Sequence, residues 1–301
     1  MNLITWFDPW KSELCTCPKK YSLNPYTGCD HFCKYCYITS YIPNGFAVRE
    51  KKNYLQRLKR ELLHIDFTFP IAMSNSSDPY PRVEKEKKIT RKTLEIMKRF
   101  PVKLIITTKS DIIVRDIDLL KEMQVAVMFT ITTMNPVIAS KLEPFAPSPK
   151  QRIDAARRLI DAGIPVGVRV DPIILGINDN YESINAVVKE CARIGCVHIV
   201  SSTYKPRADN WKRMMTTFPE IMKKTKRFYS EKVGHTIYMQ KNIRLELMKT
   251  VRELALKYGL TFATCREGFV ELHTAKSCDG THLIPLKKKK ENEKDAFQIF
   301  L

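Results

Sequence analysis

The stretch VKLIITTKSDIIVRDIDLLKEMQVAVMFTIT, residues 102–132, decides the fold. Val102 to Thr108 is a β-branched run that predicts a strand, Ile112 to Met123 predicts a helix, and Val125 to Thr132 predicts a second strand. The same order extends in both directions. Upstream lie a strand at Lys19 to Pro25, a helix at Tyr54 to His64, a strand at Pro70 to Ser74 and a helix at Glu84 to Phe100. In the first of those helices Leu55, Leu58, Leu62 and Ile65 set the apolar spacing. Downstream follow a helix at Lys150 to Ala162, a strand at Ile164 to Val170, a helix at Tyr181 to Ile194 and a strand at Val197 to Ser202. Six rounds at spacings of about 25 to 35 residues argue for βαβ units and a parallel sheet. With six units rather than eight, right-handed crossovers curl such a sheet into a partial (β/α)6 barrel. A doubly wound sheet is the alternative, but no Gly-x-Gly-x-x-Gly turn follows the first strand.

This α/β reading divides the chain into a lead, residues 1–18, a barrel core, 19–205, and a basic extension, 206–301, that packs on the barrel. The extension breaks the alternation with helices at Trp211 to Tyr229 and Asn242 to Tyr258, then a cysteine-bearing segment. The run Lys287 to Lys290 reads as a solvated tail.

Composition narrows the function. Of 301 residues, 44% are apolar and 28% charged, which suits a folded chain with a proper core and excludes wholesale disorder. No apolar run reaches the ~20 residues of a membrane span. Met1 to Trp10 has no basic flank leading into an apolar stretch, so we expect no secretory signal and a cytoplasmic location. In that reducing compartment, nine cysteines point to metal or iron–sulfur binding rather than disulfides. The net charge, 51 − 32 = +19, favours a polyanionic partner, nucleic acid first.

The strongest local signal is Cys29-Asp-His-Phe-Cys33-Lys-Tyr-Cys36-Tyr37, directly after the first strand. Three thiolates within eight residues can wrap one corner of an iron–sulfur cluster, whereas structural zinc wants a fourth ligand. His31 is the one nearby candidate for that ligand, at an unusual spacing. Gly28 supplies the backbone freedom a tight wrap needs.

A C-x3-C-x2-C triplet followed by an aromatic, after strand one of a repeating βα chain, resembles the radical S-adenosylmethionine enzymes. The resemblance implies that Cys29, Cys33 and Cys36 hold a [4Fe–4S] cluster whose open iron chelates S-adenosylmethionine. It further implies reductive cleavage to a 5′-deoxyadenosyl radical that abstracts a substrate hydrogen, with an electron donor such as ferredoxin or flavodoxin. A narrower resemblance, over about residues 15 to 180, is to the spore photoproduct lyase-like group. It rests on Ser76-Ser77-Asp78, Thr108-Lys109, Thr130 and Arg152, which it makes candidate S-adenosylmethionine-binding residues at the ends of strands. By the same resemblance Tyr37 matches a tyrosine of the radical relay. Spore photoproduct lyases carry a hydrogen-donating cysteine just before the serine motif. Here that stretch is Ser74-Asn75-Ser76-Ser77, with no thiol, which points to a relative acting on a different substrate.

Cys15 and Cys17 form a C-x-C pair at one end of the chain, and Cys265 and Cys278 lie near the other. If the ends meet, the four could hold a second [4Fe–4S] cluster or a zinc ion, with His273 and His282 as substitute ligands. Cys191, Cys196 and His198 read as core residues. Lys205, Arg207, Lys212, Arg213, Lys223, Lys224, Lys226 and Arg227, interleaved with Trp211, Phe228 and Tyr229, have the make-up of a nucleic-acid-binding face. Three functions remain: radical chemistry on DNA or tRNA, radical chemistry on a peptide or protein, and a non-catalytic iron–sulfur nucleic-acid-binding protein.

Overall fold

The computed structural model describes residues 2–7, 12–73 and 76–286. The lysine run 287–290 and the pair Ser74-Asn75 lie outside the described residues. Strands β1 (Thr5–Trp6), β2 (Tyr21–Leu23), β3 (Ile71–Met73), β4 (Lys103–Thr108), β5 (Gln124–Thr130), β6 (Val166–Ile173), β7 (His198–Thr203) and β8 (Thr261–Thr264) lie side by side in chain order. β1 runs antiparallel to β2, and every later neighbour pairs in parallel. All six expected strands are present in an α/β fold with a mainly parallel sheet. Among the described residues no strand closes β8 onto β1, so the barrel is partial.

Two of these eight strands were not foreseen, the two-residue β1 in the lead and β8. β8 comes from the 206–301 extension and continues the parallel order beyond β7, Thr261 opposite His198 and Thr264 opposite Ser201. Thr274 covers its outer edge, donating its N–H to the Phe262 carbonyl at 2.8 Å. A four-residue run flanked by threonines carries too little periodicity to announce itself.

The helices shift in instructive ways. Helices α1 (Tyr54–Leu62), α2 (Ile89–Met97), α3 (Pro149–Asp161), α4 (Tyr181–Arg193), α5 (Ala208–Thr217) and α6 (Lys241–Lys257) follow the expected order. The helix expected over Glu84 to Phe100 is broken at Lys88, which takes φ 55°. The cause is Glu84, fully buried, whose carboxylate accepts from the N–H groups of Thr90 at 3.0 Å and Arg91 at 3.2 Å. It thereby caps a new helix start. The helix expected over Ile112 to Met123 is a 3₁₀ stretch, Asp111–Asp116, followed by one turn, Ile117–Leu120. Its buried residues Ile113, Asp116 and Leu119 recur every third position, which is the 3₁₀ period. The helix expected over Trp211 to Tyr229 breaks at Phe218 because Pro219 starts the next turn without an N–H to give.

Two apolar layers flank the sheet. Leu104, Ile106, Val125, Val127 and Phe129 belong to the large core that includes helix residues such as Leu94, Leu159 and Val187. Alternate residues Ala72, Ile105, Ala126 and Met128 belong to a second, smaller cluster. That cluster takes in Leu283 and Ile284 from the C-terminal segment. Gly280 comes so close that an added Cβ would stand 2.5 Å from Met128 Sδ, so no other residue fits its φ of 85° there. The end of the described chain is thus seated against one face of the sheet.

Candidate active site

The loop after β2 is shaped by backbone constraints before any thiol is considered. Tyr26–Thr27 and Arg49–Glu50 pair antiparallel and close its base. Gly28 has φ 84°, and a Cβ there would meet the Ala47 carbonyl oxygen at 2.1 Å. The Cys29 N–H donates to the Gly45 carbonyl at 2.9 Å, and Phe32, at φ 59°, stacks on Phe46 at 4.1 Å.

Helix α5 clamps the other side of the loop. Arg213 donates to the carbonyls of Lys34 at 3.2 Å and Cys36 at 2.5 Å, and Asn210 to that of Tyr35 at 3.1 Å. This corrects the reading of residues 205–229 as a face of basic and stacking groups. Trp211, Phe228 and Tyr229 pack in an apolar cluster with Tyr204 and Met214, and Lys205 pairs with Glu267 at 2.7 Å. Lys212, Lys223, Lys224, Lys226 and Arg227 remain exposed.

The three thiols line a cavity of about 540 Å³, together with Ser76, Ser77, Asp78, Lys109 and Thr130. Burial pushes the Cys33 thiol up to about 12 and raises Cys29 and Cys36, so without metal all three hold their protons at neutral pH. Burial alone would lower the Lys109 ammonium, but Cys33 and Glu143 outweigh it and its pKa stands above the usual lysine value. A permanent cation therefore stands beside the thiols.

Asp78 builds the wall rather than facing a ligand alone. Its carboxylate accepts from the Thr108 hydroxyl at 2.7 Å, the Lys109 N–H at 2.9 Å and the Tyr80 N–H at 2.9 Å. It also stands 3.5 Å from His31 Nδ1, which ties down the one histidine that could have served the triplet as a fourth ligand. Burial lowers the pKa of His31, leaving it neutral. Ser77 differs. Its hydroxyl is buried on the cavity wall with no hydrogen-bond partner among the described residues, and such a group calls for one.

Arg152 is buried behind the cavity wall, not on it. It pairs with Glu143 at 2.5 Å and donates to the carbonyls of Thr130 at 3.0 Å and Pro147 at 2.8 Å. Glu143, which also accepts from the Tyr35 hydroxyl, gave no local sequence signal. Tyr37 lines the cavity and stacks with Tyr41 at 6.1 Å. Further along the wall, Arg169 pairs with Asp171 at 2.6 Å, and Asp171 accepts from the Ser202 hydroxyl at 2.6 Å. Arg266, at φ 56°, keeps its buried Nε without a partner among the described residues. These groups were not singled out because only the strand order brings them together.

Cys15, Cys17 and Cys265 line the same cavity, and Cys17 Sγ lies 3.5 Å from Cys278 Sγ. The cysteine-bearing segments of the lead and of the extension do meet. Cys191 and Cys196 are buried in the large core, and His198 is fully buried with Nδ1 3.0 Å from the Thr261 hydroxyl. His273 and His282 are engaged by the hydroxyls of Thr264 at 2.8 Å and Ser277 at 2.7 Å.

Among the described residues no three His, Cys, Asp or Glu side chains converge tightly enough to hold one metal ion. For the triplet this suits a cluster, in which every thiolate has an iron of its own, better than zinc, whose ligands converge on a point. Three thiols on one wall, a lysine beside them and an unpartnered serine hydroxyl fit a [4Fe–4S] cluster with a charged ligand on its open corner.

The model of the Radical SAM superfamily matches residues 23–191, more than half of the chain. An uncharacterized protein of Methanocaldococcus jannaschii is 38% identical over 168 residues, which are 53% of this chain and 62% of that protein. The chain thus spans less than two thirds of that relative's length. A radical SAM Nalpha-GlyT isomerase of Pseudomonas phage M6 is 25% identical over 81% of this chain and 53% of its own. Spore photoproduct lyase complexed with a dinucleoside spore photoproduct shares the fold at TM-score 0.66 and 17% identity, over 87% of this chain and 79% of that one. Loop, strand order and family match agree, and this chain belongs to the radical SAM superfamily.

Proposed function

We propose that this chain is a radical S-adenosylmethionine enzyme acting on nucleic acid, with Cys29, Cys33 and Cys36 as the ligands of its [4Fe–4S] cluster. The observation that carries the reading is the meeting, in one cavity, of the three thiols, Lys109 and the unpartnered Ser77 hydroxyl. Once bound and reduced, the cluster supplies the electron that splits S-adenosylmethionine into methionine and a hydrogen-abstracting 5′-deoxyadenosyl radical. Ser77 and Lys109 would hold the charged methionine end of S-adenosylmethionine, and Thr130 its ribose. Asp78 holds Lys109 and Thr108 in place, and Arg152 fixes Thr130 through its carbonyl, so both are positioning residues. Tyr37, on the same wall, is the candidate for a radical relay. A ferredoxin- or flavodoxin-type donor supplies the electron.

Nucleic acid as substrate is supported by the charge of +19 and by the exposed Lys212, Lys223, Lys224, Lys226 and Arg227. Structures that share this fold hold a dinucleoside photoproduct. The test has two arms. Anaerobically reconstituted, reduced protein should release 5′-deoxyadenosine, and Cys33→Ala should fall to background; no release from wild type with four or more irons bound removes the radical reading. Binding to DNA and tRNA should weaken linearly in log affinity against log salt, and replacing the five exposed cations by glutamine should flatten that slope by several units. A salt-independent affinity would point to a peptide or small substrate instead.

A further inference from the structure

Four cysteines outside the triplet are drawn from the two ends of the chain to one place. Cys15 and Cys17 lie on the lead into β2, Cys265 follows β8 directly, and Cys278 precedes the segment seated on the sheet. Cys17 Sγ stands 3.5 Å from Cys278 Sγ across 261 residues, and Cys15, two residues before Cys17, lines the same cavity. Cys265 and Arg169 line that cavity as well.

These are not core cysteines. Cys191 and Cys196 show what such residues look like here: both are packed among Val187, Val188 and Ile199 in the large apolar core. Cys15, Cys17 and Cys278 belong to none of the apolar clusters, and Cys265 only borders the small one. Cations stand beside them: Lys20, 98% buried and paired with Asp279 at 2.5 Å, and Arg169. A lysine buried next to two thiols is what a group of thiolates with net negative charge requires.

We propose that Cys15, Cys17, Cys265 and Cys278 form a second metal centre, an iron–sulfur cluster with four cysteine ligands, facing the same cavity as the triplet. The choice of a cluster over zinc rests on the cavity: three of the four thiols line its wall, where a [4Fe–4S] cluster has room. Cys17 and Cys278 stand 3.5 Å apart, so seating the cluster requires them to separate until each reaches an iron of its own. The centre does not depend on the triplet's role, since the two groups share no residue.

The test is iron, acid-labile sulfide and zinc per anaerobically reconstituted chain. Wild type should bind about eight irons and eight sulfides, and Cys29/Cys33/Cys36→Ala should keep about four of each. The retained iron should give the low-temperature paramagnetic resonance of a reduced cluster. Cys15/Cys17/Cys265/Cys278→Ser should keep about four irons at the triplet. Should that variant fail to fold, the triple variant still decides, because none of its substitutions touches the four. A triple variant without iron overturns the second centre, and so does one carrying a stoichiometric zinc ion. A Cys17–Cys278 disulfide in metal-free wild type, read by mass after thiol alkylation, overturns it too. Wild type with about four irons, all retained by the triple variant, would sink the radical reading and leave this one standing.

Discussion

Two groups of thiols face one cavity, and they are built in opposite ways. Cys29, Cys33 and Cys36 lie within eight residues, on a loop set by Gly28, Phe32 and the clamp of α5. Cys15, Cys17, Cys265 and Cys278 come from both ends and meet only because β1 and β2 begin the sheet while the C-terminal segment returns across it. The first is local in its ligands, all three on one loop that α5 braces from outside. The second is assembled by topology, so whatever unseats the C-terminal segment should disperse it and spare the first.

The largest effect that would break this contrast is expected at Lys20. Its pair with Asp279, at 2.5 Å and almost free of solvent, ties the lead to the C-terminal segment. Lys20→Met leaves a buried carboxylate unpaired and should destabilise the fold by about 3–5 kcal/mol. It should also release iron from the four-thiol site while the triplet keeps its own. Lys20→Met/Asp279→Leu should recover most of the stability, because removing both charges together avoids the unpaired one. Equal loss of iron from both sites in the single variant would mean the two are not separately built.

The reciprocal change is Arg213→Leu. The guanidinium holds two carbonyls of the triplet loop, and its loss should cost about 2–3 kcal/mol of loop order. Chelation should then strip the triplet's iron at least tenfold faster, with the four-thiol site unaffected. Unchanged stripping would mean that α5 merely lies alongside the loop.

The same contrast explains what could be read from the sequence. The six strands and the triplet were legible because hydrophobic runs and thiol spacing are local patterns. Glu84, Asp116 and Arg213 were not, since each acts through partners on other elements: Arg115 for Glu84, Arg91 for Asp116, the Lys34 and Cys36 carbonyls for Arg213. Basic and aromatic residues over 205–229 looked like a nucleic-acid face because composition does not say which side of a helix is covered. Trp211 and Tyr229 turned inward, and Arg213 went to the triplet loop. β8 was missed for a related reason: its identity as a strand comes from β7 beside it.

The smallest predicted effect is a pH dependence confined to the topological half. His198, on β7, is fully buried, and His282 packs edge-on against it at 4.8 Å, four residues beyond Cys278. Burial first, then His282, lowers the His198 pKa to about 3, with Arg169 adding to the shift and Asp279 opposing it. Its folded value thus lies below the unfolded value of about 6.5. The stability that depends on a neutral imidazole is complete above pH 6.5 and is lost as pH falls toward 3. Between pH 6.5 and 5 the loss is about 2 kcal/mol, the unfolded chain taking a proton that the folded one refuses. The measurement is the difference in thermal stability between wild type and His198→Asn across that interval, so that acid damage to iron–sulfur, common to both, cancels. Hydrogen exchange at pH 5 should then open residues 277–284 before the loop 29–36. Simultaneous opening of the two would show that the C-terminal segment is bound as firmly as the loop, and the contrast between local and topological assembly would lose its energetic basis.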